Sequence, residues 1–542
     1  MINTDEKASP WSALRYKTFR WLWIASIASN IGTWMHEVGA GWLMTTLSTS
    51  PMQIALVQVA GSAPMFLLAL PAGAIADIVD KKRYLLIIQI GMAAVAMLLA
   101  MLTLGGMMTA SLLLLLTFGM GIGTALMMPA WSAMTPELVE KQDLSSAIAM
   151  SSLGINVARA IGPAIAGILI SISGPWATFA VNAASFFAVM AVLFVWKREC
   201  KSSLLPGERL LGAIRAGWRY SRSSRPLQAV LIRSAAFFIG ASAGMSLLPL
   251  IVRVELNGSA SDYGLLLGGV GIGAVLGAMF LPRIRDRINP DLLVAGASLL
   301  YALVLAGLAM LRDLYWLIPV MVISGAAWIA VLSSLQMATQ TSVPNWVRAR
   351  ALSVSILVFF GSMAAGGALW GYVASQWSTS STLLIASGVV TAGIILTISF
   401  KLPVTEVEDL APSLHWPTPV LTKDYDQERG PVLVTLEYQI DKEQEELFRI
   451  AMAEVRSMRM RNGAFSWGLV QDSECPQRWL EFFFDESWIE HLRHHDRVTR
   501  AEQRIEAVAR RFQAAGINVH IRHFLAPAEI HNSKLSNTKP HE

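Results

Sequence analysis

The most constraining feature of this sequence is a series of apolar runs, each about 20 residues or longer, that fills residues 1–402. A bilayer core about 30 Å thick takes roughly 20 apolar residues of α-helix to cross. Gly and Pro interrupt several runs without ending them, which neighbouring helices tolerate in lipid. The alternative is a large soluble protein, but its helices would need water-facing polar stripes, and almost none appear before residue 198. The pattern therefore predicts an all-α integral membrane protein with twelve transmembrane helices in two six-helix halves.

The composition indicates a membrane part joined to a soluble part. Of the 542 residues, 54% are hydrophobic and 15% are charged, whereas soluble domains carry about 25% charged residues. Residues 1–402 have a net charge of +11 and residues 403–542 one of −6, so the basic total does not indicate nucleic-acid binding. Cys200 and Cys475 are too few for a disulfide framework. No cleavable signal is expected in residues 1–11.

The positions of Lys and Arg predict the orientation. With the N-terminus inside, the cytoplasmic segments hold nearly all the loop Lys and Arg residues, and the outer loops hold Arg253 and Arg312. We therefore expect a multi-pass protein of the cytoplasmic (inner) membrane with both termini in the cytoplasm. The predicted domains are an N-terminal six-helix bundle (1–196), a cytoplasmic linker with an amphipathic helix (197–226), a C-terminal six-helix bundle (227–402), a linker (403–430), a cytoplasmic α+β domain (431–527) and a disordered tail (528–542).

The two bundles resemble each other at an offset of about 208 residues. Pro136 and Ser145 of the first correspond to Pro344 and Ser353 of the second, in equivalent loops. Two similar halves joined by a cytoplasmic linker are typical of transporters that rock around a substrate site at the membrane midplane. The repeat predicts a secondary transporter.

A glycine, an aspartate four residues later and a basic run end the second apolar span. The small Gly73 would let a neighbouring helix approach closely, and Asp77 could lie near the positive end of a facing helix. The alternative is that the basic run only sets the topology. The residues of this motif are Gly73, Asp77, Asp80, Lys81, Lys82 and Arg83.

Two charged residues inside predicted spans are the candidate coupling pair. Arg159 lies about 15 residues into span five, roughly 22 Å along the helix, where a charge normally faces a cavity or a partner. Glu37 is the only carboxylate clearly inside a span and could exchange protons with a cavity that opens alternately. A permanent salt bridge between the two is the alternative. His36 points about 100° away from Glu37 around the helix and could be interfacial instead.

Several polar and aromatic residues inside the spans are candidates for the substrate cavity, although such residues also serve as interhelical hydrogen bonds and interface anchors. The cavity candidates are Asn30, Trp34, Gln58, Trp131, Asn156, Trp328 and Gln336.

These motifs resemble those of the major facilitator superfamily. The stretch from Gly73 to Arg83 resembles its signature loop, and the resemblance implies that the loop faces the start of span eleven and latches the outward-open state. Gly154, Gly162, Pro163 and Gly167 resemble in part the span-five motif of its drug and proton antiporters.

One branch of the superfamily is matched more closely. Thr18 to Arg20, Ser48 to Pro51 and Asn156 to Pro163 are similar to the branch that contains the enterobactin exporter and macrolide efflux proteins, called transmembrane secretion effectors. The resemblance implies export of small organic molecules, siderophores or amphipathic drugs, by proton antiport. An uptake permease of the same fold is an alternative.

The soluble part predicts the element order β-α-β-β-α-β, which is ferredoxin-like. It resembles the small domains of antibiotic-biosynthesis monooxygenases. His491 and His495 lie one helical turn apart, but no third metal ligand can be placed from sequence, so neither a metal nor a cofactor is predicted. We expect a sensing or dimerising module and no enzymatic activity. A membrane-tethered enzyme is the alternative.

Overall fold

The computed structural model describes residues 11–196, 217, 220–402, 407–413, 415–416, 429–514 and 517–526. Most of the predicted amphipathic linker helix and all of the predicted disordered tail lie outside these residues. The chain divides into two compact units. The first comprises Met1–Leu210, Ala229–Met337 and Ser355–Leu402, and the second comprises Leu211–Gln228, Ala338–Val354 and Pro403–Glu542.

Long α-helices account for nearly all the described residues up to 396. The helix that ends at Leu250 continues into a π-helical turn, Ile251–Glu255. The helices are α1 (Lys17–Leu47), α2 (Pro51–Ile78), α3 (Lys81–Leu104), α4 (Ala110–Leu138), α5 (Leu144–Ser173), α6 (Trp176–Val195), α7 (Arg225–Leu250), α8 (Ala260–Arg285), α9 (Pro290–Met310), α10 (Leu314–Thr341), α11 (Asn345–Gln376) and α12 (Thr379–Leu396).

Eleven helices in the described part of the chain are long and apolar enough to cross a membrane. They are α2 to α12, with α7 counted through its π-helical turn. Helix α1 is long enough, but polar residues that include Asn30, His36 and Glu37 lower its mean hydropathy. The residues that lower its hydropathy are thus among those that the sequence marks as candidates for function.

Local sequence signals explain where these helices begin. Pro51 occupies the first turn of α2, where its missing N–H costs nothing. The Asp80 carboxylate accepts the Arg83 N–H at 2.8 Å and caps α3. Ser259 and Asp262 form a capping box at the start of α8.

The soluble domain of the second unit is a four-stranded antiparallel sheet with helices between its strands. The strand order across the sheet is β2-β3-β1-β4, which leaves β2 and β4 at the edges. Its elements are β1 (Val432–Gln439), α13 (Glu445–Asn462), β2 (Ser466–Gln471), β3 (Arg478–Asp485), α14 (Trp488–Arg497), α15 (Arg500–Arg510) and β4 (His520–Leu525). Alternate residues of β1 and β3 are buried, as expected for a sheet with one face on a core.

A buried arginine ties the helices of this domain to its sheet. The Arg459 guanidinium on α13 donates to Glu481 on β3 at 2.9 Å and to Glu506 on α15 at 2.6 Å. All three side chains are buried. Burial opposes ionisation of Glu506, but the Arg459 charge and the hydrogen bonds from His415 and Trp416 together outweigh it and lower the pKa of Glu506 to about 2. Glu506 therefore stays charged at neutral pH, and Arg459 is the cation that contacts both carboxylates.

Arg459→Met is expected to destabilise the soluble domain by roughly 3 to 5 kcal/mol, because it removes the cation that contacts both buried carboxylates, Glu481 and Glu506. Hydrogen exchange of β1 in the full-length chain measures the loss. The matched control is Arg449→Met on the same helix, whose pair with Glu446 is exposed and worth at most about 1 kcal/mol. Equal exchange in the two variants would contradict this role of Arg459.

Candidate functional site: a cavity lined by both halves

A cavity of about 290 Å³ lies among helices of both halves in the first unit. Helices α1, α2 and α4 of the first half and α7, α8 and α11 of the second half contribute its walls. The lining is mostly apolar, and a few polar groups interrupt it, among them Glu37, Gln58, Thr117 and Tyr263. This composition is typical of a site for small organic ligands.

Close backbone contact between α5 and α8 joins the halves on one side of the cavity. A Cβ added at Gly264 would lie 2.5 Å from the Pro163 carbonyl oxygen and 2.9 Å from the Gly167 Cα. One added at Gly271 would lie 2.4 Å from the Ala160 Cα. Glycines are therefore required for the two backbones to approach this closely. The span-five motif acts here as a packing surface.

Helices α2 and α11 form a second junction between the halves. A Cβ added at Gly371 would lie 2.7 Å from the Ala55 Cβ, and one added at Gly361 would lie 2.8 Å from the Phe66 ring. Ala55 is near the start of α2, and Gly371 is near the end of α11. The two helices thus run antiparallel along this junction.

Glu37 faces the cavity. Many protein atoms surround this residue, yet its side chain is exposed because it opens into the cavity. Trp34, one helical turn earlier, lies beside it in the cavity wall. The cavity is thus open to the one carboxylate that the sequence places inside a span.

Arg159 lies behind Trp34. Its Cζ is 5.5 Å from the Trp34 ring centroid, a cation–π contact. Its Nε is buried without a hydrogen-bond partner among the described residues. The charges of Arg159 and Glu37 interact, but no ion pair within 4.0 Å joins these two described side chains. The arrangement in this conformation is therefore not the direct salt bridge considered as the alternative.

The remaining span-five glycines explain how Trp34 fits. A Cβ added at Gly162 would lie 2.7 Å from the Trp34 Cβ, and one added at Gly154 would lie 2.9 Å from Ile27. Both glycines therefore let α5 approach α1 closely. The sequence predicted this motif by resemblance, and its contacts are those of helix packing.

His36 is a cavity residue that the sequence left aside as a candidate for the interface. It is 4% exposed, lines the cavity and packs edge-on against Phe179 at 5.1 Å. Neither ring nitrogen has a hydrogen-bond partner among the described residues. The sequence signal that could have identified His36 as a cavity residue is its position next to Glu37, the only carboxylate clearly inside a predicted span.

The basic run after α2 stabilises its own half in this conformation. Lys81 Nζ donates to Glu137 on α4 at 2.8 Å, and Lys82 Nζ donates to the Phe194 carbonyl at the end of α6 at 3.0 Å. Arg83 is exposed. No described atom lies within 4 Å of a Cβ added at Gly73, so the close approach expected there is absent in this conformation. The Asp77 side chain lies outside the described atoms.

The other cavity candidates divide into two groups. Trp34 and Gln58 line the cavity. Trp131 instead packs against a core cluster of the first half, and Trp328 packs among aromatic rings that include Phe238 and Tyr301. Asn30, Asn156 and Gln336 are likewise absent from the lining, so these five candidates do not form the cavity wall.

A second cavity, of about 370 Å³, lies within the second half between α7, α9 and α12. It contains an ion pair that the sequence did not indicate, Arg233 with Asp291 at 2.7 Å. Asp291 also accepts the Leu402 N–H at 2.9 Å. Only one half lines this cavity, so it does not meet the geometric requirement for alternating access.

A cluster of histidines lies on α14 and β4 of the soluble domain. Nitrogen atoms of His491, His495 and His523 lie within 4.8 Å of one another. Burial and the neighbouring His491 lower the pKa of His495 to about 3 and that of His523 to about 4. Both rings are therefore neutral at neutral pH. The sequence indicated the first pair, while His523 is brought to it by the sheet.

The second unit also contains the start of α11. The Arg497 Cζ, at the end of α14, lies 4.4 Å from the ring centroid of Trp346, in the first turn of α11. Tyr220 packs edge-on against the same Trp346 ring at 5.8 Å. The soluble domain therefore contacts a helix that continues to the cavity residue Phe360.

Comparison with known proteins identifies the family. The family model described as "transmembrane secretion effector" matches residues 8–531, which include every strand and helix of the soluble domain. The staphyloferrin A transporter of Staphylococcus aureus is 24% identical over 68% of this chain and 92% of its own length. The enterobactin exporter EntS of Citrobacter koseri is 24% identical over 70% of this chain and 91% of its own length.

Solved transporter structures share the fold. A bacterial homologue of the lysosomal transporter Spinster, in an inward-facing conformation, aligns with a TM-score of 0.55 and 16% identity over 71% of this chain and 95% of its own. The nucleoside transporter NupG aligns with a TM-score of 0.58 and 16% identity over 71% of this chain and all of its own.

Gly264→Ala is expected to lower the stability of the detergent-solubilised protein by roughly 1 to 3 kcal/mol, because the new Cβ meets backbone atoms of α5. Thermal unfolding followed by loss of monodisperse protein measures the effect. The control is Gly296→Ala on α9, where nothing lies within 4 Å. Both changes bring the same gain in helix propensity, so their difference isolates the packing, and identical unfolding temperatures would refute the close contact.

Proposed function

Because this chain belongs to the transmembrane secretion effector family of major facilitator transporters, we propose that it exports siderophores from the cytoplasm. The relatives named above are a staphyloferrin A transporter and an enterobactin exporter, and each aligns over about nine-tenths of its length. The observation that carries the proposal is the cavity of about 290 Å³ lined by both halves. Such a cavity is the site that alternating access requires.

We propose that α1 also crosses the membrane, which brings the number of spans to twelve, and that both termini lie in the cytoplasm. Its 31 residues suffice to cross a bilayer, and an even number of spans agrees with the distribution of Lys and Arg in the loops. The polar residues of α1 then face the cavity and avoid lipid. Glu37 and His36 support this placement, because both line the cavity.

This orientation indicates on which side of the membrane the two halves are closed. The contacts of Gly264 with Pro163 and of Gly371 with Ala55 fall at helix ends that would lie outside. The halves would then be closed on the outer side and separable on the inner side. A latch at Gly73 and Asp77 would engage only after the reverse movement, which agrees with the open space beside Gly73.

Glu37 is the proposed proton carrier, with Arg159 acting on it through space. The cavity gives Glu37 access to water, and the Arg159 charge is held behind the Trp34 ring. Protonation of Glu37 would remove its attraction to Arg159 and weaken the hold of α1 on α5. Proton release and substrate release could then alternate through one cavity.

Transport into everted membrane vesicles tests both parts of the proposal. With a panel of siderophores and amphipathic dyes, we expect a proton gradient that is acidic inside the vesicles to drive accumulation of at least one siderophore in the vesicle lumen. Glu37→Gln is expected to reduce the gradient-driven rate at least tenfold while insertion into the membrane is unchanged.

The control for this assay is Glu140→Gln, at an exposed position between α4 and α5. It should transport as the unchanged protein does. Full gradient-driven transport by Glu37→Gln would remove the proton role and leave export intact. Accumulation of no siderophore by the unchanged protein would overturn the substrate class.

We infer that the soluble domain is ferredoxin-like and regulates transport without catalysing a reaction of its own. The strand order β2-β3-β1-β4 and the helices after β1 and β3 support the topology. The contact of Arg497 with Trp346 supports regulation, since Trp346 belongs to the first turn of α11. Dimerisation through this domain stays a prediction, and its edge strands β2 and β4 are where a second sheet could add.

Trp346→Ala is expected to increase hydrogen exchange of the α14 amides several-fold, because Arg497 loses the ring on which it stacks. Trp346→Phe keeps an aromatic face and should leave exchange close to that of the unchanged chain. Exchange that is equal in all three proteins would show that the contact does not hold α14.

A further inference from the structure

The histidines of the soluble domain converge from two separate elements. His491 and His495 lie one turn apart on α14, and His523 lies on the edge strand β4. The His491 and His495 Nε2 atoms are 3.1 Å apart, and the ring centroids of His491 and His523 are 4.8 Å apart. Ligand nitrogens about 2.0 to 2.1 Å from a tetrahedral metal ion are separated by roughly 3.3 Å. The cluster therefore needs only small side-chain rotations to surround one ion.

A buried carboxylate fixes the orientation of His491. Asp485 at the end of β3 lies 2.8 Å from His491 Nδ1 and 3.2 Å from His494 Nδ1. An ionised carboxylate only accepts hydrogen bonds, so His491 donates from Nδ1, and its Nε2 faces the Nε2 of His495. A carboxylate behind a ligand histidine is the usual support of a protein metal site. This arrangement is a second, independent sign of metal binding.

The cluster is also accessible. His491 is buried, while His495 and His523 are partly exposed, so an ion can enter from their side. Three histidines leave the fourth position of a tetrahedral ion free for water or another ligand. Imidazole nitrogens favour zinc, copper, iron and nickel over magnesium or calcium.

We propose that His491, His495 and His523 bind one divalent transition-metal ion in the soluble domain, with Asp485 as a positioning residue. The ion would link α14 to β4 and so fix the helix that carries Arg497. This site is separate from the transport cavity, and its test does not depend on which molecule is exported.

Cobalt(II) titration of the full-length protein in detergent tests the site, with purification through a tag that contains no histidine. We expect one Co²⁺ ion per chain, visible d–d bands typical of tetrahedral nitrogen ligation, and displacement by Zn²⁺. His495→Gln and His523→Gln should each weaken binding at least tenfold. Asp485→Asn should weaken binding roughly 10- to 100-fold, as loss of a supporting carboxylate does elsewhere.

The matched control is His520→Gln, an exposed histidine on the same strand as His523. It should bind Co²⁺ as the unchanged protein does. Hydrogen exchange of β1 establishes that each variant keeps its fold, which separates loss of a ligand from loss of the domain. The proposal would be overturned if the unchanged chain bound no Co²⁺, or if folded His495→Gln and His523→Gln bound Co²⁺ as tightly as the unchanged chain.

Discussion

The contact on which the transport unit depends is the approach of two helix backbones without side chains between them. Along α5 and α8 the approach is so close that a single methyl group at Gly264 or Gly271 would overlap backbone atoms of the opposite helix. In lipid the hydrophobic effect does not drive helices together. Close van der Waals contacts such as these supply the association energy instead. A junction built this way is specific in register but contains few strong bonds. It can hold two halves together and still release them during a transport cycle.

The cavity follows from this junction. With α5 held against α8 and α2 against α11, the remaining space is enclosed by α1, α4 and α7 together with α2, α8 and α11, and Glu37 opens into it. Trp34 lines this space and contacts Arg159, which is absent from the lining. A carboxylate with access to water and a cation shielded by an aromatic face form a more adjustable pair than a direct salt bridge.

Much of the helical architecture was predictable, because the apolar period and length of a span are local properties. The family was also predictable, since its motifs are short runs such as Gly73 to Arg83. The cavity wall was predicted less well. Trp34 and Gln58 line it, whereas Trp328 belongs to an aromatic cluster, because sequence gives the depth of a side chain in the membrane but not its rotation about the helix axis. The third histidine was not predictable, since strand pairing brings His523 to α14 across nearly 30 residues of chain.

Helix α11 is one uninterrupted rod from Asn345 to Gln376. Trp346 lies at its beginning, Phe360 reaches the cavity from its middle, and Gly371 packs on Ala55 near its end. A stiff helix transmits tilt without loss over a length of roughly 48 Å. One tilt of this helix therefore moves the cavity wall at Phe360 and the junction at Gly371 together, with no rearrangement of side chains between them.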